Sequence, residues 1–321
     1  MSLFDKFDKT IFLKEDSDLI KQLDELKSIR DRVDNKDEID KDIKLLEYGI
    51  QGEKDIAYEL KNANIGMYVL HDITLEFEGN KAQIDYMIFT RGYTYLIECK
   101  NLYGNITVDN NGQFIREYDY KGRKIKESIY SPYTQIIRHN DIMKKIWASG
   151  KNKLVRALVH NSFNDSWYKP LVVLSNPKAF LNIKHAPSEM RNNIIRVDQL
   201  VSYIKKDLDN YSKFDLSNES EVKSNAEGWL SSNVVEYNSI ANKYKKHIDD
   251  SKDNLYEELR AFRKEKSKRM NIPAYYIFND EEMEKIIKSR PKDLKELKSL
   301  NILSDVKLKL HGEDIIKIIN K

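Results

Sequence analysis

Residues Ala82 to Lys100, AQIDYMIFTRGYTYLIECK, decide how this chain is read. Two apolar, aromatic-rich runs of strand length flank Arg91-Gly92, which predicts a β-hairpin closed by a two-residue turn. Within YTYLIECK the strand period of two sends Glu98 and Lys100 to one face and Ile97 and Cys99 to the other. Counting outward from the turn sets Asp85 opposite Glu98 and Gln83 opposite Lys100. Opposed carboxylates repel, and taking them out of water costs on the order of several kcal/mol more. A hard divalent cation held by carboxylate oxygens is the simplest way to reconcile them. Lys100, one step away, then serves to orient or deprotonate an attacking water and to steady the charge on a phosphate. The plainer alternative is a surface ion pair of Lys100 with Glu98 or Asp85 on a one-sided sheet.

Outward from the hairpin, MYVLHDITLEF (Met67 to Phe77) joins across Glu78-Gly79-Asn80, so the three runs form a meander. Ahead of it, QGEKDIAYELKN reads as a helix that ends before Asn64-Ile65-Gly66. Further back, Ser17 to Leu46 holds no Gly or Pro, with Ile20, Leu23, Leu26, Ile29 and Val33 at spacings of three and four. That pattern predicts an amphipathic helix, used for packing or for homo-oligomer formation. Downstream, GQFIREYDY and RKIKES flank Lys121-Gly122 as an exposed hairpin, and Ser131-Pro132 opens a helix through about Ala148. PLVVLS and NIIRV then read as buried strands. The fold class expected is α/β, a mixed sheet flanked by helices. Residues from about Asp215 to Asp250 are polar and Ser/Asn-rich and read as a helical connector, followed by helix-period segments punctuated by Pro273 and Pro291. The layout expected is an N-terminal helical extension (1–46), the α/β domain (47–210), a linker (211–252) and a separate small all-α domain (253–321).

Composition narrows the classes. The chain has 321 residues, about two domains on size alone, and its 40% hydrophobic and 10% aromatic shares exclude a disordered chain despite a mean hydropathy of −0.67. The net charge of +3 is the small difference between 55 basic and 52 acidic residues and argues neither for nor against a nucleic-acid partner. Residues 251–321 are mildly basic, with 17 Lys and Arg against 13 Asp and Glu. A single cysteine, Cys99, rules out an intrachain disulfide framework and a cysteine-based zinc site. No run approaches the roughly 20 apolar residues of a membrane span. The N-terminus lacks a signal-peptide core, so a cytoplasmic protein with no membrane partner is expected.

The stretch from about Tyr48 to Arg196 resembles the NERD domain, a nuclease-related branch of the PD-(D/E)XK superfamily with its restriction-endonuclease-like core. The resemblance rests on Gly52-Glu53, Gln83-Ile84-Asp85, Glu98-Cys99-Lys100-Asn101 and Gly104-Asn105-Ile106. It implies a site for Mg²⁺ or Mn²⁺ made by Asp85, Glu98 and the main-chain carbonyl of Cys99, with Lys100 as the catalytic cation. Glu53 matches the acidic residue of the family's first helix, which makes it a further metal ligand or simply a carboxylate near a helix N-terminus. Gln83 and Gln135 match recurring polar positions that hold substrate or Lys100, or serve as structural amides. His139 follows Gln135 by four residues on the same helix face, as a packing or phosphate-facing residue. The implied activity is metal-dependent hydrolysis of phosphodiester bonds in DNA, ahead of RNA, with endo or exo action open. The competing expectation is a catalytically idle nuclease fold acting as a nucleic-acid-binding or protein-interaction scaffold.

LYEELRAFR, NIPAYYIFND, SRPKDLKEL and HGEDIIKII resemble the HRDC domain, a helical module of helicases and exonucleases. That resemblance implies binding of nucleic acid or of a protein partner, by analogy a helicase or a repair or defence protein. Arg263 and Lys264, with Lys266, Lys268 and Arg269, form a basic run suited to phosphates or to a solvated helix face. Asn301-Ile302-Leu303-Ser304 stands where that family usually has a glycine-containing turn.

Overall fold

A computed structural model describes residues 7–33, 35–149, 168–211, 216–235, 237–247 and 250–320. The chain divides into two compact units, Met1–Asp24 with Lys41–Ser239, and Glu25–Asp40 with Ile240–Lys321.

The first unit is built on a six-stranded mixed sheet in the order β1-β2-β3-β4-β8-β10. Its strands are β1 (Thr10–Lys14), β2 (Met67–Phe77), β3 (Asn80–Thr90), β4 (Thr94–Lys100), β8 (Tyr168–Leu174) and β10 (Ile194–Arg196). β2, β3 and β4 are the antiparallel meander, while β1 joins β2, β8 joins β4 and β10 joins β8 in parallel. Glu78 and Gly79 close the first hairpin at φ of 49° and 78°. Two positive φ values make the mirror-image turn whose twist matches the strands, and Gly79 adopts it without cost. β1 went unread in the sequence because its residues, TIFLK, are too few to show a period.

A second sheet, ordered β7-β6-β5-β9, comprises β5 (Asn105–Val108), β6 (Phe114–Tyr120), β7 (Arg123–Ile129) and β9 (Phe180–Asn182). The hairpin expected around Lys121-Gly122 is its β6–β7 edge.

Helices cover both faces of the larger sheet. Helix α1 runs Asp18–Ile29 and α2 Lys36–Lys61, so the break falls at a 3₁₀ turn over Arg30–Arg32 and extended Val33, not between residues 46 and 51 as read from the sequence. Asn35 explains the restart: its side chain accepts the Glu38 amide, and Asp37 and Glu38 place negative charge in the first turn. Ile56 and Leu60 of α2, with Leu200 and Ile204 of a later helix (Leu200–Asp209), pack on Val69, Ile88, Ile97 and Val173. The opposite face carries Leu70, Met87, Leu96 and Val172 under Ile136 and Met143 of α3 (Pro132–Ser149). Alternation in the strands thus feeds two cores.

The helix Glu219–Ser231 corrects the reading of residues 211–252 as a connector. Its Val222, Ala226 and Trp229 are buried in the α3-side core, and Trp229 Nε1 donates to Tyr168 Oη at 2.9 Å. Only three apolar side chains reach inward, spaced at four and three, so the stripe was too thin to stand out among serines. Trp229→Ala is expected to destabilise this unit by about 3–5 kcal/mol, the usual cost of emptying a buried indole site. Urea unfolding followed by circular dichroism checks it, and a loss under about 1 kcal/mol would mean the helix is peripheral.

In the second unit the helices Asp250–Met270, Asp280–Ser289, Leu294–Ser299 and Asp305–Ile319 enclose Leu259, Phe278, Ile286, Leu297 and Ile315. Leu26, Ile29, Val33 and Ile39 are buried within the chain, so most of the apolar stripe assigned to packing or self-association is used internally. Asn301 takes φ of 51°, the left-handed conformation that the expected glycine would supply and that Asn tolerates best among other residues.

Candidate active site

The strand register explains why the charges meet where they do. β3 and β4 pair from Phe89↔Thr94 to Tyr86↔Ile97, the register expected from the two-residue turn, and there the ladder stops. β4 continues against β8, pairing Glu98↔Val172 and Lys100↔Leu174. β3 continues against β2, but that ladder passes from His71↔Tyr86 to Ile73↔Ile84 and skips Asp85. Asp72, the residue skipped on β2, has φ of 54°, a strained conformation for a non-glycine residue that clusters at functional sites. Asp85 therefore sits where the sheet opens on both sides. The expected pairings of Asp85 with Glu98 and of Gln83 with Lys100 are not formed, because β3 and β4 part after Tyr86↔Ile97.

Asp85 fills the opening with its own carboxylate, whose Oδ2 accepts the Cys99 amide at 2.6 Å. Burial first, and then the charge of Glu98, push Asp85 well above the usual carboxylate range. Glu98 is 1% exposed and is also raised by burial, with Lys100 opposing the shift. Lys100 Nζ lies 2.5 Å from Glu98 Oε1 and 3.4 Å from Gln135 Oε1. Burial lowers the Lys100 ammonium, but the charge and hydrogen bond of Glu98 hold it above its ordinary value.

The second oxygen of Glu98 is the telling atom. Oε2 is buried without a hydrogen-bond partner, and so is His139 Nδ1, 3.9 Å away. A buried carboxylate oxygen left unsatisfied is costly, and it calls for a ligand. His139 is lowered to about 4 by burial and by Lys100, so its imidazole is neutral at physiological pH.

Glu53 stands on the α2 side. Gly52 permits this approach, since a Cβ there would lie 2.6 Å from Ser175 Oγ and 3.1 Å from Cys99 Sγ. Glu53 Oε2 meets His71 Nε2 at 2.9 Å, and His71 Nδ1 meets the Glu15 carbonyl at 2.8 Å. The Glu15 carbonyl can only accept, so Nδ1 donates to it, and the Glu53 carboxylate favours a proton on Nε2 as well. Burial pulls that imidazole down, yet the Glu53 bond and charge leave it raised. Its ring stacks on Tyr86, whose hydroxyl donates to the Glu53 carbonyl. Neither His71 nor Asp72 was singled out in the sequence, although a His-Asp pair interrupting an apolar strand was the available signal.

Of the remaining candidates, Gln83 is exposed and donates to Asp72 Oδ1 at 2.8 Å. Cys99 points to the α2-side core, its thiol pushed up by burial. In the other unit Arg263 is largely covered and donates to the Phe278 carbonyl and to Asp280 at 2.7 Å, so it ties two helices together and is not offered to a phosphate. Lys264 is exposed.

Two carboxylates, one with an orphaned oxygen, form a hard-oxygen donor set that fits a divalent cation. Among the described residues, no group of three or more His, Cys, Asp or Glu side chains is placed to hold one ion. Such a cation would have to draw on main-chain oxygen as well. No helix among the described residues is long and apolar enough to cross a membrane.

Comparison with known families gives two matches. Residues 48–175 match the nuclease-related domain (NERD), and residues 252–319 match the HRDC domain. No curated protein and no solved structure matches the chain.

Proposed function

From a chain that carries a nuclease-related domain ahead of an HRDC domain, we propose a divalent-metal-dependent nuclease that hydrolyses DNA phosphodiester bonds. The observation that carries this reading is the buried, unpartnered Oε2 of Glu98, with Asp85, its proton affinity raised by burial, near enough for the charge of Glu98 to raise it further. Mg²⁺ or Mn²⁺ would be held by Asp85, Glu98 and the main-chain carbonyl of Cys99, with Glu53 as a further candidate. When bound, the cation supplies Lewis-acid polarisation of the scissile phosphoryl group.

The protein groups account for the rest. Lys100, held as an ammonium by Glu98, offers positive charge to the phosphate as negative charge builds in the transition state. Gln135, within 3.4 Å of that ammonium, limits its swing. His139, neutral and 3.9 Å from Glu98 Oε2, is a hydrogen-bonding group for a phosphate oxygen or a water. His71 fixes the Glu53 carboxylate through their 2.9 Å hydrogen bond. The HRDC domain supplies nucleic-acid binding and delivers or selects the strand.

The test is incubation with linear, circular and single-stranded DNA, with and without Mn²⁺, beside Lys100→Ala. Mn²⁺-dependent cleavage by the wild type alone is the expected result, with a nicked circle marking endonuclease action. Equal cleavage by both proteins would end the assignment. No cleavage, together with no Mn²⁺ uptake by calorimetry, would favour the idle scaffold.

A further inference from the structure

A groove of about 410 Å³ opens beside the candidate site, between the tip of the β2–β3 hairpin and one face of α3. That is within the usual range for ligand clefts. Gln135, Arg138, His139, Ile142 and Lys145 line it from the helix, and their spacing of three, one, three and three makes a single stripe. The stripe starts at Gln135 and His139, next to Lys100 and Glu98, and runs about 15 Å outward along the helix to Lys145. Lys81 faces it from the hairpin tip. Asp141 is the single acid among the lining residues, and it is paired with Lys144 at 3.1 Å.

Tyr130 adds an aromatic surface to this basic wall. It is 60% exposed, its hydroxyl accepts from Arg138 Nη1 at 2.5 Å, and the Arg138 guanidinium lies 5.7 Å from its ring centroid. An open ring beside phosphate-binding cations is the arrangement that receives an unpaired base, because the faces of paired bases are covered by their neighbours in a duplex.

We propose that this groove binds single-stranded nucleic acid, Tyr130 stacking on a base while Arg138 and Lys145 contact flanking phosphates, so that the strand is led to Glu98 and Lys100 unpaired. The assignment rests on the nuclease reading for its purpose and deepens it by naming the substrate form. It makes Tyr130 and Arg138 substrate-binding residues and leaves the chemistry to the neighbouring carboxylates.

The experiment uses the full chain in EDTA, where no turnover is needed, so a failure of the nuclease reading leaves the outcome interpretable. Fluorescence anisotropy is measured with a 12-nucleotide single strand and with the duplex of the same sequence. The single strand carries 5-iodouracil for photo-cross-linking. Tyr130→Ala should weaken single-strand binding about tenfold and Tyr130→Phe by less than about twofold, with duplex binding unchanged by either. The Arg138→Ala/Lys145→Ala pair should flatten the slope of log K against log salt by about 1.4, two released phosphate contacts on a single strand. Cross-links should map to the peptide holding Tyr130. Single-strand affinity unchanged by Tyr130→Ala, or cross-links confined to residues 252–319, would overturn the proposal.

Discussion

Asp85→Asn should raise the thermal midpoint of the first unit in EDTA at neutral pH while removing Mn²⁺-dependent cleavage. The wild-type carboxylate is held well above its ordinary range by burial and by the charge of Glu98. An acid whose folded pKa is raised binds its proton more tightly when folded. Its contribution is therefore fully present below the unfolded value, about 3.9, and is lost as pH climbs from there toward the raised folded value. Asparagine removes the charge but keeps an oxygen to accept the Cys99 amide. The expected gain is a few degrees in the midpoint, the scale of a typical single-site change in a unit of this size. Glu98→Gln should give a smaller gain, because Lys100 already offsets Glu98 and would lose its counter-charge. With Mn²⁺ the order should reverse, since only a chain that keeps both carboxylates gains stability from binding the ion. Differential scanning fluorimetry from pH 5 to 8, with EDTA or Mn²⁺, reads all of this. A lower midpoint for Asp85→Asn in EDTA at every pH would show that the carboxylate pair is not strained.

That strain was visible in the sequence only in outline. The hairpin register followed from a two-residue turn and the strand period, and both are local properties. The divergence of β3 from β4 after Tyr86↔Ile97 is not local: it falls beside the break at Asp72 and Asp85 in the β2–β3 ladder, while β8, a strand nearly seventy residues downstream, pairs the opposite edge of β4 along its whole length. Glu53 was found through its motif, but its His71 partner comes from a strand beyond the helix, and the Glu15 carbonyl that holds His71 comes from the N-terminal segment. The helix carrying Trp229 was hidden for a related reason: three inward side chains suffice when a tryptophan is one of them. Arg263 misled because a basic run looks alike whether a given side chain faces water or is held against Asp280. Short-range patterns thus carried the candidate catalytic residues, and packing from distant elements decided which charges remain open.

Lys100→Met is expected to cut single-turnover cleavage about 10³-fold while leaving Mn²⁺ uptake within a few-fold of the wild type. Methionine keeps the stem that packs beside Glu98 and Gln135 and removes only the ammonium. The loss should fall on the chemical step, because a charge placed where the phosphate gains charge acts on the transition state more than on the bound ground state. Glu98→Ala separates the two roles from the other side, since it should abolish both uptake and cleavage by removing the buried oxygen that has no protein partner. Lys100 is already cationic at neutral pH, its ammonium held above the ordinary range by Glu98, so the lysine-dependent part of the rate should stay flat from pH 6.5 to 8.5. A rate that rose tenfold per pH unit in the wild type and went flat in Lys100→Met would instead make the lysine a general base. Wild-type cleavage by Lys100→Met would remove the lysine from the chemistry altogether and leave the Glu98–Lys100 contact as a structural ion pair.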